Sequence, residues 1–120
     1  MTTYELLSAY AAGQRDFAGV SLWGASLPYA RLEGADLSGA DLRRAELHGA
    51  NLRGVNLSGA LLMGADLSDA DLLDANLSQV VLYGTDLTGA SLLFANLTGA
   101  YRYDPALAQT RRGKLASVAG

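Results

Sequence analysis

The sequence contains no cysteine, which excludes disulfide bonds, thiolate metal sites and thiol nucleophiles. Acidic residues only slightly outnumber basic ones, so the net charge is −3, and no basic stripe is present. We therefore expect no direct nucleic-acid binding. Long hydrophobic runs are missing too. The opening residues, MTTYELLSAYAAG, carry Glu5 and no positive segment, and their apolar run is too short for a signal peptide or a membrane span. We therefore expect a cytoplasmic protein that does not bind membranes.

What the chain has in abundance is a short repeat. From Phe17 to Leu97 a large apolar residue, here named the centre of its unit, returns at every fifth position, and sixteen of these seventeen centres are leucine. Two positions before the centre stands a small residue, which is alanine in twelve units and valine in three, with Arg15 and Thr85 as the exceptions. Two positions after it, at what we name the corner, stands glycine in eleven units. The residues directly before and after the centre are the pre-centre and post-centre residues.

A period of five matches neither regular secondary structure. It differs from the helical period of 3.6 and the strand period of 2, and recurring glycine would destabilise a helix by about 1 kcal/mol at each occurrence. Self-similarity at a fixed short period instead indicates a solenoid, in which each unit buries its apolar side only by stacking on copies of itself. Since 120 residues suit one domain, we expect a single solenoid.

The units ADLSG, ADLRR, AELHG, ANLRG and ANLTG resemble the pentapeptide repeat family. The resemblance implies an all-β solenoid, a right-handed quadrilateral β-helix with one pentapeptide on each side, about twenty residues per coil and about four coils. The sequence supports the coil length separately. Bulky apolar residues occupy the pre-centre position at Leu61, Val81 and Tyr101, twenty residues apart, and Asn56, Asn76 and Asn96 share that interval. Stacked amides of this kind could form a hydrogen-bonded ladder.

Three segments follow from the pattern. Residues 1–14 are expected to form an N-terminal capping helix, with Thr2 or Thr3 as N-cap and Gly13 after its end. Residues 15–101 form the β-helix. Residues 102–120 are expected to form a C-terminal cap with a basic tail, or alternatively a docking segment for an acidic partner.

Folding the sequence into coils of twenty gathers apolar and aromatic residues on one outer wall. Aromatic residues, Met and Arg are enriched in protein–protein contacts, so this wall is predicted to bind a protein partner of unknown identity or a second copy of the chain. In the alternative interpretation, the C-terminal segment covers the wall. The predicted contact residues are Trp23, Arg43, Leu61, Met63, Val81, Tyr83, Tyr101 and Tyr103.

Acidic residues gather on the other walls. Some members of the resembled family mimic DNA and bind gyrase or other type II topoisomerases. The resemblance therefore implies an alternative function for this chain, in which these acids mimic the phosphates of DNA. Arginines elsewhere and the short length weaken that alternative. The acidic residues concerned are Glu46, Asp66, Asp69, Asp71, Asp74 and Asp86.

Enzymatic activity is not expected. The aspartates are explained by the repeat, which favours Asp or Asn before the centre, and their side chains point outward from a filled rod, whereas catalysis needs a concave site. His48 is the single histidine, with no nucleophile at a suitable spacing. We therefore predict no catalytic residues, no cofactor and no metal.

Overall fold

The computed structural model describes residues 1–102. Tyr103 and almost all of the expected C-terminal cap and tail lie outside the described residues. The described chain consists of one helix followed by a long series of five-residue units.

Helix α1 spans Thr3–Ala11, and its N-cap is Thr2. The Thr2 hydroxyl accepts a hydrogen bond from the Glu5 backbone N–H at 3.0 Å, while the Glu5 carboxylate accepts one from the Thr2 N–H at 3.1 Å. This reciprocal capping box satisfies two backbone donors that a helix start leaves unpaired. Leu6 is fully buried in the core of the solenoid and Tyr10 packs against it, so the helix covers the first coil.

The units stack with an interval of twenty residues. Every pre-centre residue from Asp16 to Val81 forms an isolated parallel bridge with the pre-centre residue twenty positions later. Around Leu61, for example, the Leu61 N–H donates to the Ala40 carbonyl at 3.0 Å, and the Leu61 carbonyl accepts from the Leu42 N–H at 2.9 Å. The predicted coil length is therefore confirmed. Within residues 1–102 the bridges stay isolated and no extended strand forms, because a corner follows each short side.

Each unit turns in the same way. The N–H of every small residue donates to the carbonyl of the centre three positions earlier, as from Ala65 to Leu62 at 3.0 Å. The corner residue has a φ between 58° and 74° in all seventeen units, whereas the post-centre residue has a negative φ. Positive φ at the third turn position alone is the pattern of a type II β-turn. Four such turns per twenty residues give the coil four sides.

Six corners hold a residue other than glycine. A side chain in the left-handed conformation costs about 1–2 kcal/mol, which glycine avoids. The identities of these residues are therefore not explained by the needs of the turn. They are Tyr29, Arg44, Asp69, Asp74, Gln79 and Phe94.

The interior consists of the centres and the small residues beside them. All centres from Phe17 to Leu82 are at most 3% exposed, and Leu97 is 7% exposed. Thr85 is the exception among the small residues because it is polar and yet buried. Its hydroxyl donates to the Leu62 carbonyl at 2.7 Å, so that no polar group is left unsatisfied.

The pre-centre Asp and Asn residues cap their own turns. The Asn76 side-chain oxygen, for example, accepts from the Ser78 backbone N–H at 3.0 Å. The predicted amide ladder is therefore wrong: in the described part of the chain no side-chain hydrogen bond joins Asn56, Asn76 and Asn96, because each oxygen is engaged within its own unit. The same bond is made by Asp16, Asp36, Asp41, Asn51, Asn56, Asp66, Asp71, Asn76, Asp86 and Asn96.

Candidate protein-binding groove

The wall built on centres Leu22, Leu42, Leu62 and Leu82, here called the second wall, carries the predicted contact residues. Parallel bridges join Asp41 to Leu61, Leu61 to Val81 and Val81 to Tyr101. The bulky pre-centre residues are therefore vertical neighbours, as the twenty-residue interval predicts.

A groove of about 370 Å³ runs along the second wall. Its sides are formed by post-centre residues from four successive coils and by Arg44, and two corner glycines lie between them. A Cβ atom on Gly84 would lie 3.7 Å from the Gly64 backbone nitrogen, an ordinary van der Waals distance. The lining residues are Trp23, Arg43, Arg44, Met63, Gly64, Tyr83 and Gly84.

The predicted contact residues divide into two groups. Trp23 is 58% exposed and Tyr83 is 42% exposed, and with Met63 they give the groove its apolar surface. Leu61 and Val81 are half-buried and lie on the same wall, but they do not line the groove. The apolar pre-centre residues therefore mark the correct wall, whereas the post-centre residues form the concave surface.

The two arginines of the groove are in different electrostatic states. Arg43 binds Asp41 through two parallel hydrogen bonds, from Nε at 2.9 Å and from an Nη at 2.7 Å. The Arg43 hydrogen bond holds the pKa of Asp41 below its usual value. Arg44 makes no side-chain hydrogen bond or ion pair with any residue of the described range. Arg44 is not among the predicted contact residues, although it is an arginine in a column of corners that otherwise reads Gly24, Gly64 and Gly84.

A backbone donor also lies in this wall. In units with a pre-centre Asp or Asn, the side chain accepts from the post-centre N–H, as Asp41 does from Arg43 at 3.1 Å. Leu61 has no such acceptor, and the Met63 N–H donates to no group within residues 1–102. The leucine therefore adds apolar surface and also leaves a donor available at the groove.

The family model for pentapeptide repeats matches the chain in eight copies, over residues 16–54, 40–79 and 65–101. The chain belongs to the pentapeptide repeat family. Membership implies the right-handed quadrilateral β-helix, and the four corners and twenty residues of each observed coil agree with it. The predicted family is thereby confirmed.

Three pentapeptide repeat proteins of known structure are similar in sequence. The protein alr5209 from Nostoc PCC 7120 is 38% identical, with 99% of this chain and 88% of that chain covered and a TM-score of 0.48. HetL from the same organism, involved in heterocyst differentiation regulation, is 37% identical over 84% of this chain and 51% of its own, with a TM-score of 0.41. A protein from the thylakoid lumen of Arabidopsis thaliana is 29% identical over 78% and 70%, with a TM-score of 0.46. A search of curated proteins gave no significant match.

The acidic residues of this pentapeptide repeat protein form part of two walls. Glu46, Asp66 and Asp86 are stacked by parallel bridges on the third wall. On the fourth wall Asp71 pairs with Arg53, whose hydrogen bond lowers the pKa of Asp71. The predicted acids are therefore aligned, but one of their charges is neutralised within the rod.

The corner acids Asp69 and Asp74 and the pre-centre Asp86 are all exposed, but their contacts differ. Asp74 is exposed at its corner, and the Asp69 carboxylate lies over Gly89, where an added Cβ would meet it. Asp86 accepts from the Thr88 backbone N–H at 2.9 Å, and that bond lowers the pKa of Asp86. Several carboxylates are thus held by their own turns.

His48 takes part in a chain of side-chain contacts along the third wall. Its Nδ1 lies 2.8 Å from the Ser68 hydroxyl and its Nε2 lies 3.1 Å from the Tyr29 hydroxyl. The Tyr29 ring meets the imidazole edge-on and lies over Gly49, where an added Cβ would be 2.5 Å from two ring carbons. The contacts position these side chains along the rod.

Neither a metal cluster nor a membrane helix is found in the described range. Residues 1–102 contain no group of three or more His, Asp or Glu side chains that could hold a metal ion. The same residues contain no helix long and apolar enough to cross a bilayer.

Proposed function

We propose that this pentapeptide repeat protein is a non-enzymatic scaffold or adaptor that binds a protein partner through the second wall. The observation that carries the proposal is the groove itself, in which Trp23, Arg43, Met63 and Tyr83 come from four successive coils to one concave surface. Exposed aromatic residues beside Met and Arg have the composition of contact sites that dominate binding energy.

The backbone of the rod supports the same function. Two kinds of backbone hydrogen bond join the coils at the groove, from a centre N–H to a pre-centre carbonyl, as from Leu42 to Leu61, and from a corner N–H to a post-centre carbonyl, as from Arg44 to Met63, both at 2.9 Å. The centres Leu42 and Leu62 beneath the groove are fully buried. A backbone held in this way loses little conformational entropy when a partner docks. The cytoplasmic location expected from the sequence remains a prediction.

The proposal is tested by affinity capture with three immobilised forms of the protein. The parent, Met63→Ser and Leu73→Ser are compared, because Met63 and Leu73 occupy the same post-centre position and are both half-buried, but Leu73 lies on the fourth wall. We expect proteins captured by the parent to be retained by Leu73→Ser and lost from Met63→Ser. Equal capture by all three forms would remove the second wall as the binding surface.

A second copy of the chain is one possible partner. Sedimentation of the same three forms across a hundredfold range of concentration checks this. A concentration-dependent sedimentation coefficient that disappears in Met63→Ser alone indicates a homodimer formed through the second wall.

The DNA-mimic function is the second candidate, and the observation that favours it is the vertical alignment of Glu46, Asp66 and Asp86. A DNA mimic needs an extended negative surface, and its binding weakens steeply as salt rises. A gyrase supercoiling assay tests the DNA-mimic function with the parent and with a double variant that combines Asp66→Asn and Asp86→Asn. Inhibition or protection that is lost in the double variant supports the mimic, and no effect of the parent at high concentration excludes it.

A further inference from the structure

We propose that the second-wall groove binds a partner segment in which an Asp or Glu side chain lies next to a large apolar side chain, and that Arg44 binds the carboxylate. This inference rests on the proposed function, because it specifies what the partner presents to the groove. The apolar side chain lies between Trp23, Met63 and Tyr83.

The charge of the groove favours an acidic partner. Arg43 is already neutralised by two hydrogen bonds to Asp41, whereas the Arg44 guanidinium has no acidic partner among residues 1–102. A guanidinium offers several donors in the planar arrangement that matches a carboxylate. Arg44 therefore gives the groove a positive charge that the described chain does not balance.

The backbone at Arg44 supports a role in binding. Its φ is 59°, in the left-handed region where glycine is favoured, and the corners directly below and above it on the second wall, Gly24 and Gly64, are glycine. Five corners on the other walls also carry a side chain in this conformation, so Arg44 is distinctive as the non-glycine corner of the second wall. The Arg44 side chain runs toward the groove, with its Cγ 3.4 Å from where a Cβ on Gly64 would lie.

The available Met63 N–H is a second donor for the same carboxylate. It belongs to the residue directly before Gly64, over which Arg44 extends, and it has no acceptor because the pre-centre residue is Leu61. A carboxylate has two oxygens and can accept from the guanidinium and from a backbone N–H together. The leucine that breaks the repeat does not line the groove itself, but it leaves the N–H of a groove-lining residue without an acceptor in its own turn.

The size of the groove fits one large side chain and the backbone that carries it. Sites for small ligands range from about 300 to 1,000 Å³, and the groove lies at the lower end with 370 Å³. Because benzene occupies a cavity of about 150 Å³, the groove has room for an apolar ring together with the backbone and an acidic side chain at the Arg44 edge.

The test is a selection of displayed random peptides on the full chain, followed by titration of the enriched peptides with amidated C-termini. Trp23 is the only tryptophan and lines the groove, so its fluorescence reports binding of tryptophan-free peptides. We expect enrichment of Asp or Glu beside Phe, Leu or Ile. Amidation removes the terminal carboxylate, so that any retained affinity comes from the acidic side chain.

The decisive variant is Arg44→Gln. Gln79 occupies an equivalent corner with a φ of 59°, so glutamine is accommodated in this conformation. We expect the variant to weaken binding of the acidic peptides about tenfold and to reduce the salt dependence of the affinity. The control is Arg31→Gln, which removes an exposed cation on the fourth wall and should leave the affinity unchanged.

A second variant tests the backbone donor. Leu61→Asn supplies the acceptor that other units have, so the Met63 N–H becomes engaged within the chain. We expect weaker binding of the acidic peptides than in the parent, although no charge has changed.

The outcomes separate this inference from the proposed function. Binding that is lost in Met63→Ser but unchanged in Arg44→Gln overturns the acidic specificity and leaves the scaffold function intact. Enriched peptides without acidic residues, or no enrichment at all, also overturn the inference. Peptides whose binding is unaffected by either variant overturn both, because the groove is then not the site.

Discussion

On the first wall the pre-centre residues serve the fold, whereas on the second wall most of them serve the surface. The first wall carries Asp16, Asp36, Asn56, Asn76 and Asn96, and every one of them accepts a hydrogen bond from the post-centre N–H of its own turn. On the second wall Asp41 alone makes this bond, and Leu61, Val81 and Tyr101 provide apolar surface.

The two walls show that the solenoid tolerates the loss of turn caps. Their corners have the same positive φ and the same turn hydrogen bonds, and their centres are equally buried, with Leu57 and Leu62 both fully inaccessible. The stacked coils therefore hold the backbone in place even where a cap is missing. Pre-centre positions become available for binding because burial and the ladders carry most of the stability.

The largest expected effect comes from replacing a leucine by asparagine at a buried centre of the second wall, and the same replacement at the adjacent pre-centre position provides the comparison. Leu62→Asn removes a fully buried centre and buries an amide without partners, so we expect a loss of at least about 4 kcal/mol in the free energy of unfolding. Leu61→Asn adds a turn cap at a half-buried position, and we expect its stability to remain within about 1 kcal/mol of the parent. Urea unfolding of both variants measures the difference.

Equal losses in the two variants would contradict the division between a buried interior and an available outer wall. Leu57→Asn on the first wall is the control for Leu62→Asn. Because both centres are fully buried, the two should lose stability alike.

An intermediate loss of stability is expected when a pre-centre asparagine of the first wall is replaced by the leucine found at the pre-centre position of the second wall. Asn56→Leu removes the acceptor of the Ser58 N–H, which lies 3.0 Å from the Asn56 oxygen, so we expect a loss of about 1 kcal/mol. Asn56→Asp keeps the acceptor and should change little at pH 7. Thermal unfolding distinguishes them, and an unchanged Asn56→Leu would show that the caps contribute nothing to the first wall.

The smallest effect concerns pH. Hydrogen bonds from Ser38 lower the pKa of Asp36 on the first wall, so its folded pKa lies below the unfolded value of about 3.9. The stability from this depressed pKa is present above pH 4 and is lost as the pH falls through the folded pKa. We expect the melting temperature of Asp36→Asn to equal that of the parent at pH 7 and to fall less between pH 5 and pH 2.5.

A pH profile of Asp36→Asn that is parallel to that of the parent would contradict the role of Asp36. Asp41 is expected to behave in the same direction on the second wall, since Arg43 lowers its pKa. Asp41→Asn therefore provides a comparison between the two walls.

Part of the site was predictable and part was not. The alignment of Leu61, Val81 and Tyr101 followed from their spacing, because stacking converts an interval of twenty into adjacency. Arg44 is marked in the sequence as an arginine in a column of glycine corners, but the sequence does not show whether its side chain lies along the wall or away from it. The predicted amide ladder was wrong because each Asn side-chain oxygen accepts a hydrogen bond from the post-centre N–H of its own turn, and not from the Asn of the next coil.

The sequence by itself determined the repeat, its interior of leucines, the length of the coil and the wall on which apolar residues gather, because each depends only on a period and on burial. The tertiary structure alone decided that every corner is a type II turn, that Asp and Asn cap those turns, and that post-centre side chains enclose a groove beside Arg44. The turns and their caps form within each unit, in the backbone conformation that stacking holds in place, whereas the groove depends on distances between coils. Such distances exist only after the backbone hydrogen bonds have stacked residues that are twenty positions apart in the chain.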